Sequence, residues 1–163
     1  MNATNLLEPG IRADGAPACP YEPLIGSWDI RSRWFTAEGT TREADGEWHF
    51  SWILGGWGVQ DVLFVKGASA SDRGTSIRCY DRVAQVWRVV WLMPRSNEFV
   101  ALDVREEPGK IVQEGQSLRG ESRQRWTISG ITGSSFLWQG ESSTDGGTSW
   151  RLEQEMRATR RLG

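Results

Sequence analysis

The sequence is short of the residues on which the commonest chemistries depend. It holds one histidine, His49, and two cysteines, Cys19 and Cys79. A single imidazole cannot supply the usual metal-ligand sets, and two cysteines without paired spacing build neither a zinc site nor a disulfide framework. So little cysteine reads most simply as a chain of a reducing compartment. No run of about 18 uninterrupted apolar residues occurs, and the start, MNATNLLEPGIRADG, has no basic region followed by an apolar one. A cytoplasmic protein without a membrane span is therefore expected. Neither sign of charge dominates: 19 basic and 21 acidic residues are interspersed, for a formal net charge of -2. That removes the electrostatic footprint of a nucleic-acid or anionic-membrane binder. No Ser-His-Asp order and no phosphate-binding loop is found either.

What the chain does have is tryptophan, ten residues against two Tyr and five Phe, together with nineteen glycines. An indole brings a large apolar surface and one N–H that needs a partner, so it suits both cores and pockets for flat ligands. At 163 residues the chain fits one domain. Residues 1–22, carrying Pro9, Gly10, Gly15, Pro17 and Pro20, show no period and read as a flexible arm or edge-covering segment. A barrel domain is expected over 23–163.

From there the period is two almost everywhere. GSWDIRSRWF puts Trp28, Ile30, Ser32 and Trp34 on one face and Asp29, Arg31 and Arg33 on the other, the pattern of a half-buried strand. In EWHFSWILGGWG, Trp48, Phe50, Trp52 and Leu54 share one face and Glu47, His49, Ser51 and Ile53 the opposite one. Further strands are expected in WGVQDVLFVK, TSIRCY, QVWRVVWLM, EFVALDVR, KIVQEG, SRQRWTIS, SFLWQGES and SWRLEQEMRATR. Ten short strands and no helix point to an all-β fold, a closed antiparallel barrel or a sandwich, of which closure removes exposed edges.

Two turns are legible in detail. Ser143 to Trp150 fits S-x-D-x-G-x-x-W, an Asp-box hairpin in which the Asp145 carboxylate accepts backbone N–H groups and a glycine takes positive φ. It occurs once, without a repeat of propeller length, so it reads as a structural hairpin. Tyr80 to Trp87 reads as a hairpin with a four-residue loop after Asp81, which would pair Asp81 with Val86, Tyr80 with Trp87 and Arg78 with Val89.

Gly26-Ser27-Trp28 at the head of the first strand resembles the G-x-W signature of lipocalins and other calycin barrels. The ordered series GSW, EWHFSWILGGWGVQDV, RCYDRVAQVWRVVW and STDGGTSWRLEQEMRATR is similar to the bacterial lipocalin-like domains of unknown function, over residues 24 to 161. The resemblance implies a barrel of eight to ten strands that holds a small apolar molecule. It also implies an arginine of the final strand packed across Trp28, with Arg157 and Arg160 as the candidates. The second and third lipocalin motifs and a lipocalin disulfide are not found.

Candidate site residues follow from the inward faces. Trp34, Trp48, Phe50, Trp52, Trp87 and Trp91, with Gln154 between Leu152 and Met156, are read as ligand-binding, or equally as core. Asp61 and Gln60 interrupt an apolar strand, and one of them must point inward. Arg78 is the nearest cation for a buried Asp61, as a register-fixing ion pair, a polar anchor or an acid-base group. Asp61, Arg78 and Tyr80 are thus the catalytic candidates, ahead of His49, which alternation places with Glu47 and Ser51 on the solvent side. The expected function is binding of a small apolar, aromatic or polycyclic molecule, with cofactor-free cyclisation or isomerisation as the chemistry if there is any. A non-catalytic storage protein and a haem-binding barrel are the alternatives. No metal or cofactor is expected, and a homodimer is left open.

Overall fold

The computed structural model describes residues 12–120 and 122–162. Alternating side chains give ten strands, and each pairs antiparallel with the next in sequence: β1 Gly26–Phe35, β2 Thr41–Ile53, β3 Gly58–Val65, β4 Gly74–Asp81, β5 Val86–Met93, β6 Glu98–Glu107, β7 Lys110–Ser117, β8 Arg123–Ser129, β9 Ser135–Ser143 and β10 Arg151–Arg160. β10 then pairs with β1, from Trp28 opposite Arg160 to Trp34 opposite Gln154, and the meander closes into a barrel. Every strand expected from the period-two pattern is present. Among the described residues the only helical elements are short 3-10 turns.

Because consecutive strands run in opposite directions, the connections collect at two ends, and the ends differ. At the end where β1 begins, residues 12–25 are laid across the opening. Tyr21 and Leu24 are fully buried and Cys19 nearly so, which for a leucine alone contributes about 1.5–3 kcal/mol. Ala13 N–H donates to the Gly55 carbonyl at 2.8 Å, and Trp87 Nε1 donates to the Ala18 carbonyl at 3.0 Å. The described part of the expected arm is thus a plug packed into the barrel, for the apolar side chains among its prolines find a cavity that alternation cannot display. Residues 1–11 lie outside the described residues.

Below the plug, Trp28 Nε1 donates to the Leu24 carbonyl at 2.7 Å. The Arg160 guanidinium lies 4.1 Å over the Trp28 ring and donates to the carbonyls of Ile25, Pro23 and Gly133. Of the two candidate arginines Arg160 holds the indole; Arg157 points outward toward Glu155. The inner wall continues with Phe136 edge-on to Trp28 at 4.7 Å and Trp48 against Phe50 at 4.8 Å.

Both expected turns form. Asp81 accepts from the N–H groups of Val83 and Ala84, and the register pairs Tyr80 with Trp87 and Arg78 with Val89. In the β9–β10 hairpin, Asp145 accepts from Ser149 N–H and from the hydroxyls of Ser143 and Ser149, while Gly146 and Gly147 have φ of 75° and 95°. The Ser149 and Ser143 donors hold the Asp145 carboxyl well below the usual carboxylate range.

Candidate functional site

The opposite end of the barrel is hollow, and glycines make it so. Gly74 of β4 leaves room for the Trp91 ring, since a Cβ there would stand 2.0 Å from Trp91 Cη2. Gly140 of β9 does the same for Trp138, at 2.4 Å. The two indoles lean toward Trp126 of β8, with ring centroids 6.2 Å and 5.6 Å from it. Trp34 stands at the rim with Arg42 stacked over it at 4.5 Å.

A narrow cavity of about 60 Å³ lies at the bottom, lined by Trp48, Leu63, Ser76, Arg78, Trp91, Glu98, Trp126, Trp138, Gln154 and Met156. It opens into two hollows of about 400 Å³ and about 220 Å³, both of which share Glu98 and Gln154 with it and reach Trp34. Glu98 accepts from Trp91 Nε1 at 2.9 Å and fixes that indole as a wall.

Beneath the cavity sits a buried ion pair. Asp61 of β3 is the residue of its pair that points inward, 1 % exposed, while Gln60 points out and donates to Thr75. Its two oxygens accept from Ser76 N–H at 2.9 Å and from Arg78 Nη1 at 2.5 Å. Arg78, 2 % exposed, spreads its guanidinium 4.7 Å over the Tyr21 ring and 5.4 Å from that of Phe50. Burial opposes the Arg78 charge, and the adjoining Asp61 carboxylate more than offsets this, so its pKa is raised. Tyr21 in turn donates to Gln113 Oε1 at 2.8 Å, and burial raises its phenol above the ordinary value.

The expected site residues divide between the two halves. Trp34, Trp48, Trp91 and Gln154 line the hollow half, and Arg78 forms its floor with Asp61 behind it. Phe50, Trp52, Trp87 and Tyr80 face inward too, but in the plugged half. Phe50 packs on Trp48 and Arg78, Trp52 carries Arg12 at 5.7 Å, and Trp87 meets Tyr21 and Tyr80 at 6.2 Å and 5.8 Å. The structure therefore separates Tyr80 from the cavity that Arg78 reaches, because the plug fills the space above it. His49 is on the outer wall, as its alternation implies, hydrogen-bonded to Ser27 at 2.9 Å and Glu47 at 3.0 Å.

Trp126 and Trp138 were legible as inward positions of their strands and belong with the site. Glu98 shares the parity of the inward Val100 and Leu102, but an acidic residue at the first position of β6 reads as an exposed strand end and gave no reason to place it in the site. Among the described residues no helix is long and apolar enough to cross a membrane.

A closed antiparallel barrel with a G-x-W tryptophan under a final-strand arginine is a calycin-like barrel. Solved structures share it. The chain resembles the crystal structure of Rv2717c from M. tuberculosis, with a TM-score of 0.60 and 14% identity over 90% of this chain and 100% of that one. It also resembles the S-type phycobiliprotein lyase CPES from Guillardia theta, with a TM-score of 0.57 and 9% identity over 88% and 91% of the two chains. At such identities the likeness is one of fold alone. No protein-family model and no curated protein sequence matches the chain.

Proposed function

We propose that the barrel takes up a small, flat, largely apolar molecule through its open end. The observation that carries this reading is the hollow half itself, where Trp34, Trp91, Trp126 and Trp138 surround a space continuous with the buried floor. Flat aromatic walls with a few polar groups are what a pocket for a flat ligand requires. The fold is that of ligand-binding barrels, and one protein that shares it is a phycobiliprotein lyase. A haem reading has little to rest on, because the one histidine, His49, faces outward.

A second reading, cofactor-free isomerisation or cyclisation, is supported by Arg78, a buried cation lining the cavity floor where it would polarise a bound carbonyl. Asp61 is a weaker candidate for acid-base work, since both its oxygens already accept hydrogen bonds.

The test is titration with N-phenyl-1-naphthylamine, a neutral dye that brightens in apolar surroundings. Saturable one-to-one binding is expected, weakened at least tenfold in Trp138→Ala and little changed in Trp87→Phe at the plugged end. Absence of binding, or equal loss in both variants, refutes the proposal.

A further inference from the structure

Three buried indoles have acceptors for their N–H groups: Trp28 uses the Leu24 carbonyl, Trp87 the Ala18 carbonyl and Trp91 the Glu98 carboxylate. Trp48, 3 % exposed, has none. Nor does the Nε–H of Arg78, whose Nη1 is committed to Asp61. Both residues line the narrow bottom of the cavity. A buried donor left unsatisfied costs about 1–3 kcal/mol, so two unpaired donors on residues that line one small cavity favour an acceptor at its bottom. The remaining unpaired buried nitrogen among the described residues, Gln113 Nε2, belongs to the layer under the plug and does not line the cavity.

The charges nearby say what kind of acceptor fits. Arg78 is already neutralised by Asp61, and Glu98 adds a negative charge on the cavity wall. An anionic oxygen would bury a charge with no counter-ion left for it, whereas a neutral carbonyl oxygen takes both N–H groups without that penalty. The bottom of the cavity, about 60 Å³, has room for such a group and not for a ring system. The rings then lie in the wider space between Trp91, Trp126 and Trp138.

Building on the mouth as the binding site, we infer that the ligand is an aromatic or polycyclic carbonyl compound, a ketone, quinone, lactone or amide. It enters carbonyl first, and its oxygen accepts from Trp48 Nε1–H and Arg78 Nε–H. The shape of the cavity selects the flat body, and the two donors select the neutral oxygen at its tip.

Three probes of one size decide the matter: 2-acetylnaphthalene, 2-ethylnaphthalene and 2-naphthoate, titrated into the full chain by tryptophan fluorescence and calorimetry. The ketone is expected to bind at least tenfold more tightly than the hydrocarbon and than the carboxylate. Its carbonyl stretch in the infrared should move to lower frequency on binding. Trp48→Phe keeps an aromatic ring but removes the N–H, and should narrow the ketone-to-hydrocarbon ratio to about threefold or less. Should that variant fail to fold, the infrared shift in the unaltered protein still decides. Equal binding of ketone and hydrocarbon, with no shift, overturns the inference and leaves the mouth as a site whose donors are met by water. Tighter binding of the carboxylate also overturns it. Binding of none of the three overturns the proposed function and the inference together.

Discussion

Asp61→Asn should damage the fold far more than an isosteric exchange suggests. The carboxylate is 1 % exposed and faces an arginine 2 % exposed, so among the described residues its negative charge is the close compensation for an almost wholly buried cation. An Asn oxygen still accepts from Ser76 N–H, but its amide then turns a donor toward Arg78 Nη1, which is itself a donor. Breaking one side of such a pair costs about 3–5 kcal/mol. For a chain of this length each kcal/mol moves Tm by roughly 2–4 °C, so a fall of about 6–20 °C is expected. Removing both partners is a different perturbation. Asp61→Leu with Arg78→Met deletes the desolvation cost with the attraction, and its stability should lie within about 1–2 kcal/mol of the parent. Urea unfolding followed by tryptophan fluorescence, checked by calorimetry, measures both. A single variant losing under about 1 kcal/mol, or a double variant losing the sum of the two singles, would refute the account of a tightly coupled buried pair.

Other expectations follow from the same geometry. Burial pushes the Cys19 thiol up to about 11 and also raises that of Cys79, so Ellman's reagent at pH 8 should react with the folded protein far more slowly than with the two thiols exposed in urea. Arg160→Ala removes the stacked cation over Trp28 and three donors to plug and loop carbonyls; a loss of about 2–3 kcal/mol is expected, against under about 0.5 kcal/mol for Arg157→Ala, by the same denaturation assay. Asp145 is held ionised by its hairpin donors, so its contribution is complete above its ordinary carboxyl value of about 4 and is lost as pH falls toward its lower folded value. The stability gap between the parent and Asp145→Ala should therefore shrink on acidification from pH 6 to pH 3. Gly140→Ala would drive a methyl into the Trp138 ring; dye binding at the mouth should weaken, with a cost of about 1–3 kcal/mol in stability seen by calorimetry.

Alternation settles which way a side chain faces, and here it found all ten strands, the inward Trp48 and the outward His49. It says nothing about depth along the barrel axis. Trp52 and Trp91 carry the same inward signal, yet one lies under the plug and the other walls the cavity. The plug was illegible for a related reason. Tyr21 and Leu24 sit among prolines with no period to read, and their burial depends on a space made by strands far away in sequence. The Asp61–Arg78 pair was within reach because a lone carboxylate in an apolar strand needs a cation, and Val59 pairs with Arg78 across β3 and β4. Glu98 stood at a strand end and carried no such demand.

Nine of the ten tryptophans then fall under three explanations rather than one. Trp57 and Trp150 carry arginines at 5.3 Å and 4.2 Å and are only half-buried. Trp28, Trp52 and Trp87 anchor the plug, two of them through their indole N–H. Trp34, Trp91, Trp126 and Trp138 line the open half together with Glu98 and Gln154, and two of these rings are admitted only because a glycine stands where any other residue would collide. A ten-stranded barrel is too wide to be filled by its own side chains alone. This one fills half of its bore with an N-terminal segment and keeps the other half open with glycine. Trp48 lies at the boundary between the halves, with its N–H unpaired, and that is where a molecule entering the open half would meet the protein's fixed polar floor.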